Sequence, residues 1–340
     1  MNFFKGEIAM KQIIRNVKII GTGSYVPEKI YTNEYLETIV NTDAAWIEKA
    51  LGIKERRIAA KNQSTSDLAW KAALKAINNA NLTKNDIDLI IVATATPDRP
   101  APATACFVQD KLQSYNAVAF DIAAVCSGFL YGMSIASQYI SSGVYDNVLV
   151  IGADTFSKIT DWTKRECVFF GDGAGAAILS HGNDDEGFLA FRLYSDGRGK
   201  YNFTVPAGGS ENPASIRTVK ERLHYFQMNG KEVYNTGIKV LPEAIKRVLN
   251  DAKLKVSDVD YLVPHQPSIG ILKRTAEIVG LPFEKVMTNM DRYANTSGGT
   301  IPILLDELNR ANRLKSGNII LFAAVGAGWT WGASIIKWSI

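Results

Sequence analysis

A chain of 340 residues, 46% hydrophobic and 21% charged, has the apolar content to bury a sizeable core, at a length that fits two domains of roughly 150 residues. Its 38 Lys and Arg against 34 Asp and Glu leave a net charge of +4, too small over this length to argue for nucleic acid or an anionic membrane as partner. No apolar run approaches the roughly 18 residues of a membrane span, and three cysteines are too few for a disulfide framework, which suits a reducing cytoplasm. The first segment, MNFFKGEIAMKQIIRNVKIIG, has no long apolar stretch with a small-residue cleavage site, so it is not read as a signal peptide. Met10 is a candidate start, with the nine residues before it a tail. Val17–Gly21 predicts a short strand that ends in a Gly-Thr-Gly turn. Residues 66–80 carry apolar residues at helical spacing behind a Ser-Asp cap. Residues 86–95, 118–124 and 147–153 read as fully buried strands, and 127–142 as a nearly apolar helix buried all round. The class is therefore α/β.

The second half repeats this plan. Residues 72–91 (AALKAINNANLTKNDIDLII) match 244–263 (AIKRVLNDAKLKVSDVDYLV) at an offset of 172. Ser127-Gly128 is matched to Ser297-Gly298 at an offset of 170, and Gly143 with its strand echoes Gly317 with its own. Matched order argues for an internal duplication rather than two generic helix–loop–strand units. The halves divide as 1–180 and 181–340. A pseudo-two-fold axis between them would place a central helix pair at the junction, where ligands of α/β folds collect beyond the strand ends.

Chemistry has few candidates, with Cys106, Cys126, Cys167 and only His181, His224 and His265 available. Cys106 lies in a helical stretch of small residues, and Cys167 in a strand-like ECVFFGDG; both read as inert core thiols. Cys126, in AAVCSGFLYG, stands between a strand and a helix N-terminus, whose partial positive charge would favour the thiolate. Its setting alone fits a nucleophile or a buried thiol equally. His265 follows a buried strand in VPHQP, and Asn295 precedes the duplicated Ser-Gly. If the halves pair about an axis, these three residues meet. GAGWTWG near the end has a dinucleotide-like glycine spacing, but no βαβ unit follows it, so that reading is rejected.

From about Val17 to Trp338 the sequence resembles the β-ketoacyl-acyl-carrier-protein synthase III group of thiolase-fold condensing enzymes. The resemblance rests on an ordered set: GTGSYVPE at 21–28, TDAAWIEKALGIKERRIA at 42–59, DIAAVCSGF at 121–129, FFGDGAGAAIL at 169–179, VPHQP at 263–267, NTSGGTIP at 295–302 and GAGWTWGAS at 326–334. It implies a five-layered αβαβα thiolase fold, the nucleophile in 1–180 and the His and Asn in 181–340. It implies a Cys126, His265, Asn295 triad, with an oxyanion hole formed by the backbone N–H groups of Cys126 and Ala327 framed by Gly326 and Gly328. The implied reaction acylates Cys126 from a thioester, then joins that acyl group to the enolate left by a decarboxylating malonyl thioester. Acyl-coenzyme A and malonyl-acyl carrier protein are substrates; no bound cofactor or metal is implied. The implied partners are an acyl carrier protein and a second copy of the chain, paired near Val118–Asp121, in the cytoplasm.

Several positions depart from the family pattern. Trp46 is present, but the Arg that helps it sandwich the coenzyme A adenine is Ala50; Arg165 is retained. The Arg after the catalytic His is Gly270, a Lys is Asn235, and a Lys pair is Glu277 and Ile278, while Lys273 and Arg274 are available as new charge. Ala101 stands where short-primer members place a Phe that gates the partner's acyl channel, which favours longer or bulkier acyl groups. The expected function is condensation in fatty acid biosynthesis. The alternatives are a specialised homologue joining unusual chains into resorcinol, pyrone or quinolone products, and a non-catalytic partner subunit.

Overall fold

The computed structural model describes residues 16–183 and 186–340; the candidate start Met10 and its tail lie outside them. The first half opens with β1 (Asn16–Tyr25), then β2 (Lys29–Thr32), α1 (Asn33–Glu37), α2 (Ala44–Leu51) and β3 (Glu55–Ile58). It continues with α3 (Thr65–Asn79), β4 (Leu89–Ala93), α4 (Thr104–Leu112), β5 (Val118–Ile122), α5 (Gly128–Ser141), β6 (Asn147–Thr155) and β7 (Asp172–Gly182). The second half begins with β8 (Gly187–Ser195), β9 (Phe203–Thr204), α6 (Ile216–Lys220), β10 (Gln227–Met228) and α7 (Gly230–Asp251). It closes with β11 (Tyr261–Pro264), α8 (Ile269–Val279), α9 (Met290–Tyr293), α10 (Thr300–Arg310), β12 (Ile319–Gly326) and β13 (Thr330–Lys337).

Two sheets carry one topology. The first runs β1-β7-β6-β4-β5 and the second β8-β13-β12-β11, with a parallel bridge from Leu262 to Val286 standing where β5 stands in the first. In both, the first two pairs in that order are antiparallel and the rest are parallel. Leu89 faces Val148 in one sheet and Tyr261 faces Ile320 in the other, so the offset is 172 in both strands of the pair. α5 and α10 lie between the sheets in a core that draws on both, including Phe129, Met133, Leu304 and Phe322. α3 and α4 cover the outer face of the first sheet, and α7 and α8 that of the second. The layers are therefore αβαβα, the thiolase fold, with its largest apolar core buried at the junction of the halves.

Several local expectations are corrected. β1 does not turn at Gly-Thr-Gly but runs on to Tyr25. The glycines serve contact instead: a Cβ on Gly21 would lie 2.6 Å from the Ala76 carbonyl oxygen, and one on Gly23 2.3 Å from that of Ala72, both on α3. Bare glycine lets α3 press on the sheet. α3 is capped by Ser64, not Ser66, because Asp67 sits three residues on and closes a capping box with it. β5 is an edge strand rather than a fully buried one, with Val118 48% exposed, since the first sheet ends there. Cys167 lies in a 3-10 turn, Arg165–Val168, not a strand, and is buried against Leu36, Ile47 and Ile53.

The expected pairing of the repeat is also corrected by two residues at one place. The 3-10 turn Val125–Ser127 leads into α5 as Ser297–Gly299 leads into α10. Val125 has φ +46° and Ser297 φ +51°, so these two residues correspond and the offset is again 172, not 170. Cys126 thus corresponds to Gly298.

The two turns meet across the junction. A Cβ on Gly152 of β6 would lie 2.0 Å from the Gly298 carbonyl oxygen. Gly152→Ala is therefore expected to lower unfolding stability by about 2–3 kcal/mol or more, the cost of overpacking a rigid backbone contact. Gly209→Ala, where a Cβ meets nothing within 4 Å, is the comparison and should shift stability by no more than about 1 kcal/mol. Chemical denaturation of both variants measures the difference.

Candidate active site

Beyond the ends of β11 and β12 lies an apolar cavity of about 280 Å³. Cys126, His265, Asn295, Gly326 and Ala327 all line it, together with Phe169, Phe170, Phe203, Met228 and Tyr234. Residues more than a hundred positions apart in sequence therefore share one space. The duplication explains how: Cys126 arrives on the turn before α5, Asn295 just ahead of the equivalent turn before α10, and His265 directly after β11.

The Cys126 turn is strained. Val125 is β-branched and rarely adopts a positive φ, so the surrounding packing must hold it at +46°. The result is a sharp strand-to-helix corner with the thiol at its tip. Gly326 packs on that corner, where an added Cβ would lie 3.0 Å from the Cys126 amide nitrogen and 2.9 Å from the Ala124 carbonyl oxygen. Its bareness leaves the amide uncovered beside the cavity. Thr330 pins the neighbourhood by donating to the carbonyls of Ala124 at 3.0 Å and Ala327 at 3.3 Å. Gly328 has φ +130°, which only glycine adopts freely, but it turns the chain behind the cavity rather than lining it.

Burial works against the thiolate that a helix N-terminus would favour. Burial pushes the Cys126 thiol up to about 12, and the Asp154 carboxylate adds to the rise, while a hydrogen bond with Ser297 acts the other way. Desolvation is the largest of these effects. The thiol donates to the Ser297 hydroxyl at 3.6 Å. His265 is buried, and burial drives its imidazole down to about 3, so it is neutral near pH 7. Its Nδ1 lies 2.8 Å from the Thr300 hydroxyl, which also lies 2.9 Å from the Ser297 carbonyl oxygen. One hydroxyl proton serves both; when it points to Nδ1, the imidazole carries its N–H on Nε2. Asn295 Oδ1 accepts the Ser297 backbone N–H at 2.8 Å, which leaves the Asn295 amide N–H groups as donors.

Asp154 was not singled out from the sequence. It ends β6 fully buried. Its Oδ1 accepts from Thr94 Oγ1 at 3.1 Å, Ala95 N at 2.8 Å, Thr96 N at 3.1 Å and Thr96 Oγ1 at 2.9 Å. Its Oδ2 accepts from Gly298 N at 3.0 Å. Burial still raises its pKa. An Asp closing an otherwise apolar strand, NVLVIGAD, was the available signal.

The remaining sequence candidates lie outside the cavity. Arg165 stacks its guanidinium 3.8 Å over the Trp46 ring at the surface, where both are exposed. Ala101 is exposed on a loop and does not line this cavity. Ala50 and Gly270, by contrast, line the cavity. Tyr234, Phe203 and Met228 line it too and had no sequence signal beyond being apolar. Among the described residues no group of three or more His, Cys, Asp or Glu could hold a metal ion, and no helix is long and apolar enough to cross a membrane.

Residues 120–197 match the family model of 3-oxoacyl-[acyl-carrier-protein] synthase III, and 249–338 its C-terminal model. A beta-ketoacyl-[acyl-carrier-protein] synthase III of Caldanaerobacter subterraneus subsp. tengcongensis is 49% identical over 322 residues, 94% of this chain and 97% of that relative. One from Clostridioides difficile is 47% identical over 323 residues, covering 95% and 98%. The crystal structure of the Aquifex aeolicus 3-oxoacyl-[acyl-carrier-protein] synthase III superposes with a TM-score of 0.87 at 40% identity, covering 95% of this chain and all of that one. With identity of this order along nearly its whole length, the chain belongs to the β-ketoacyl-acyl-carrier-protein synthase III family, the thiolase-fold acyltransferases that form carbon–carbon bonds.

Proposed function

We propose that this chain takes an acyl group from coenzyme A or a carrier protein onto Cys126 and extends it with malonyl-acyl carrier protein in fatty acid biosynthesis. The observation that carries the reading is the convergence of a thiol, a neutral imidazole, a carboxamide and an uncovered amide on one apolar cavity. The Cys126 thiolate attacks the thioester carbon, the oxyanion forms against the N–H groups of Cys126 and Ala327, and the carrier thiol leaves. Malonyl thioester then enters and loses carbon dioxide. The enolate oxygen is held by His265 Nε2–H and the Asn295 amide. The enolate carbon attacks the acyl-enzyme, and the Cys126 sulfur leaves as the new bond closes. Neutrality of His265 suits this role, because a neutral donor stabilises an enolate without handing it a proton prematurely.

The working unit on this reading is both halves together, 1–180 with the nucleophile and 181–340 with His265 and Asn295. Trp46 and Arg165 form a stacked pair that a flat adenine can enter or cap. The uncovered β5 edge favours a second copy of the chain as its partner, and the exposed Ala101 loop is then offered to the acyl channel of that copy. Unpaired Cys106, Cys126 and Cys167 accord with the cytoplasm. High identity to relatives named for the carrier-protein reaction favours this role over a specialised one.

Cys126→Ala is expected to abolish the acyl adduct in intact-mass spectra and to stop condensation; condensation at the wild-type rate would overturn the scheme. His265→Ala and Asn295→Ala should keep the adduct yet lose about 100- to 1000-fold in malonyl decarboxylation. Thr300→Val keeps the shape but removes the hydroxyl that orients the imidazole, so decarboxylation should fall roughly 10- to 100-fold with melting temperature little changed.

The acid response follows from the low imidazole pKa. Decarboxylation by the acyl-enzyme should show no imidazole limb between roughly pH 5 and 7, where an ordinary histidine titrates. Unfolded His265 binds its proton near its ordinary 6.5 while the folded one waits until about 3, so its share of stability is present above 6.5 and drains as pH falls through that window. A rate–pH profile of the acylated enzyme checks the first statement.

A further inference from the structure

We infer that Tyr234 holds the arm of the thioester substrate at the rim of the cavity, through its phenol hydroxyl. This rests on Cys126 being the acylated residue, as proposed above. Coenzyme A and an acyl carrier protein both present their thioester on a phosphopantetheine arm, and that arm must cross the cavity wall to bring the thioester carbon to Cys126. Beyond the thioester the arm carries two amides, a hydroxyl and a phosphate. Each needs a hydrogen-bonding partner where the wall displaces water.

The wall offers few such partners, because its side chains are mostly apolar and the polar ones are nearly all engaged. Cys126, His265 and Asn295 belong to the reacting centre. Ser268 turns its hydroxyl to its own helix, where it accepts from Ile271 N at 3.4 Å. Trp329 sets its ring nitrogen against Gly199, where an added Cβ would lie 2.0 Å from it. Tyr234 remains. No hydrogen bond holds its hydroxyl among the described residues, and the residue is 41% exposed, which puts it at the rim rather than in the depth of the cavity. Its place is set by two helices, since Tyr234 stands near the start of α7 and Gly270 near the start of α8, and both line the cavity. A Cβ on Gly270 would lie 3.7 Å from Tyr234 Cε2, the ring carbon beside the one that bears the hydroxyl. The hydroxyl end of the ring therefore lies across the bare glycine, bridging α7 and α8. A phenol there can both donate and accept a hydrogen bond, while its ring packs along the apolar stretches of the arm. The contact is to the arm and not to the reacting carbon, so it is made equally in the bound substrate and in the transition state.

The test separates arm binding from a structural role by the length of the arm. Tyr234→Phe keeps the ring and its packing and removes only the hydroxyl. Acylation of Cys126 by an acyl-coenzyme A is followed by intact mass at a series of concentrations. The concentration giving the half-maximal rate should rise about three- to tenfold in the variant, with the maximal rate little changed. The second substrate carries the same acyl group on N-acetylcysteamine, which keeps the thioester and the nearest amide but lacks the rest of the arm. With it, wild type and variant should acylate at the same rate. An unchanged concentration dependence for acyl-coenzyme A, a fall in its maximal rate alone, or a loss shared equally by the truncated thioester overturns the assignment. Wild-type protein acylated at a residue other than Cys126 overturns the functional reading instead.

Discussion

Everything at the functional centre depends on how closely two backbone corners approach across the junction of the halves. The turn before α5 and the turn before α10 are held against the ends of β6 and β12 with no room for side chains, as the Gly152–Gly298 and Gly326–Cys126 contacts show. Two buried helices thus direct their N-termini, with their unpaired N–H groups, into one small region. Such a region strongly favours negative charge, and water is largely kept out of it. The αβαβα layering serves this meeting: each outer helix pair seals a sheet, and each sheet presses one central helix toward the other.

A symmetric meeting of that kind would make two identical sites or none. The chain breaks the symmetry residue by residue, at the constant offset of 172. His265 corresponds to Ala93, Asn295 to Ala123, Cys126 to Gly298, and Asp154 to Gly326. Each half is blank where the other carries chemistry. The last pair is the most informative. Beside Gly298 N, the end of β6 supplies a carboxylate that accepts the N–H directly. Beside Cys126 N, the end of β12 supplies only Gly326, so the same direction of N–H faces open space. Asp154 therefore fills, in one half, a position beside the turn amide that is a bare glycine in the other.

Much of this is legible in the sequence, and what is not has definite causes. β4, β6 and α5 follow from their apolar runs, and the repeat follows from AINNANLTKNDIDL set against VLNDAKLKVSDVDY. The turn at Gly-Thr-Gly fails because a glycine chosen for close packing reads the same as one chosen for a bend; only the position of α3 distinguishes them. The two-residue misregister of Ser127-Gly128 on Ser297-Gly298 fails for a related reason. Identical letters are matched, while the true equivalence is of backbone shape, a positive φ shared by a valine and a serine. That slip hides Ser297, whose place next to Cys126 is visible only once Val125 is its counterpart. β5 misleads because an apolar edge strand awaiting a partner has the composition of a buried one.

The acid–base character of the site also follows from its dryness, and it differs from what the local sequence suggests. A helix N-terminus lowers a thiol's pKa when water can also reach it. Here burial pushes Cys126 up, and burial likewise holds His265 low. Both shifts keep the resting centre nearly free of net charge apart from Asp154, whose charge is spread over several N–H and O–H donors. A neutral imidazole and a neutral carboxamide can then bind a developing enolate oxygen without competing against a resident anion in the cavity.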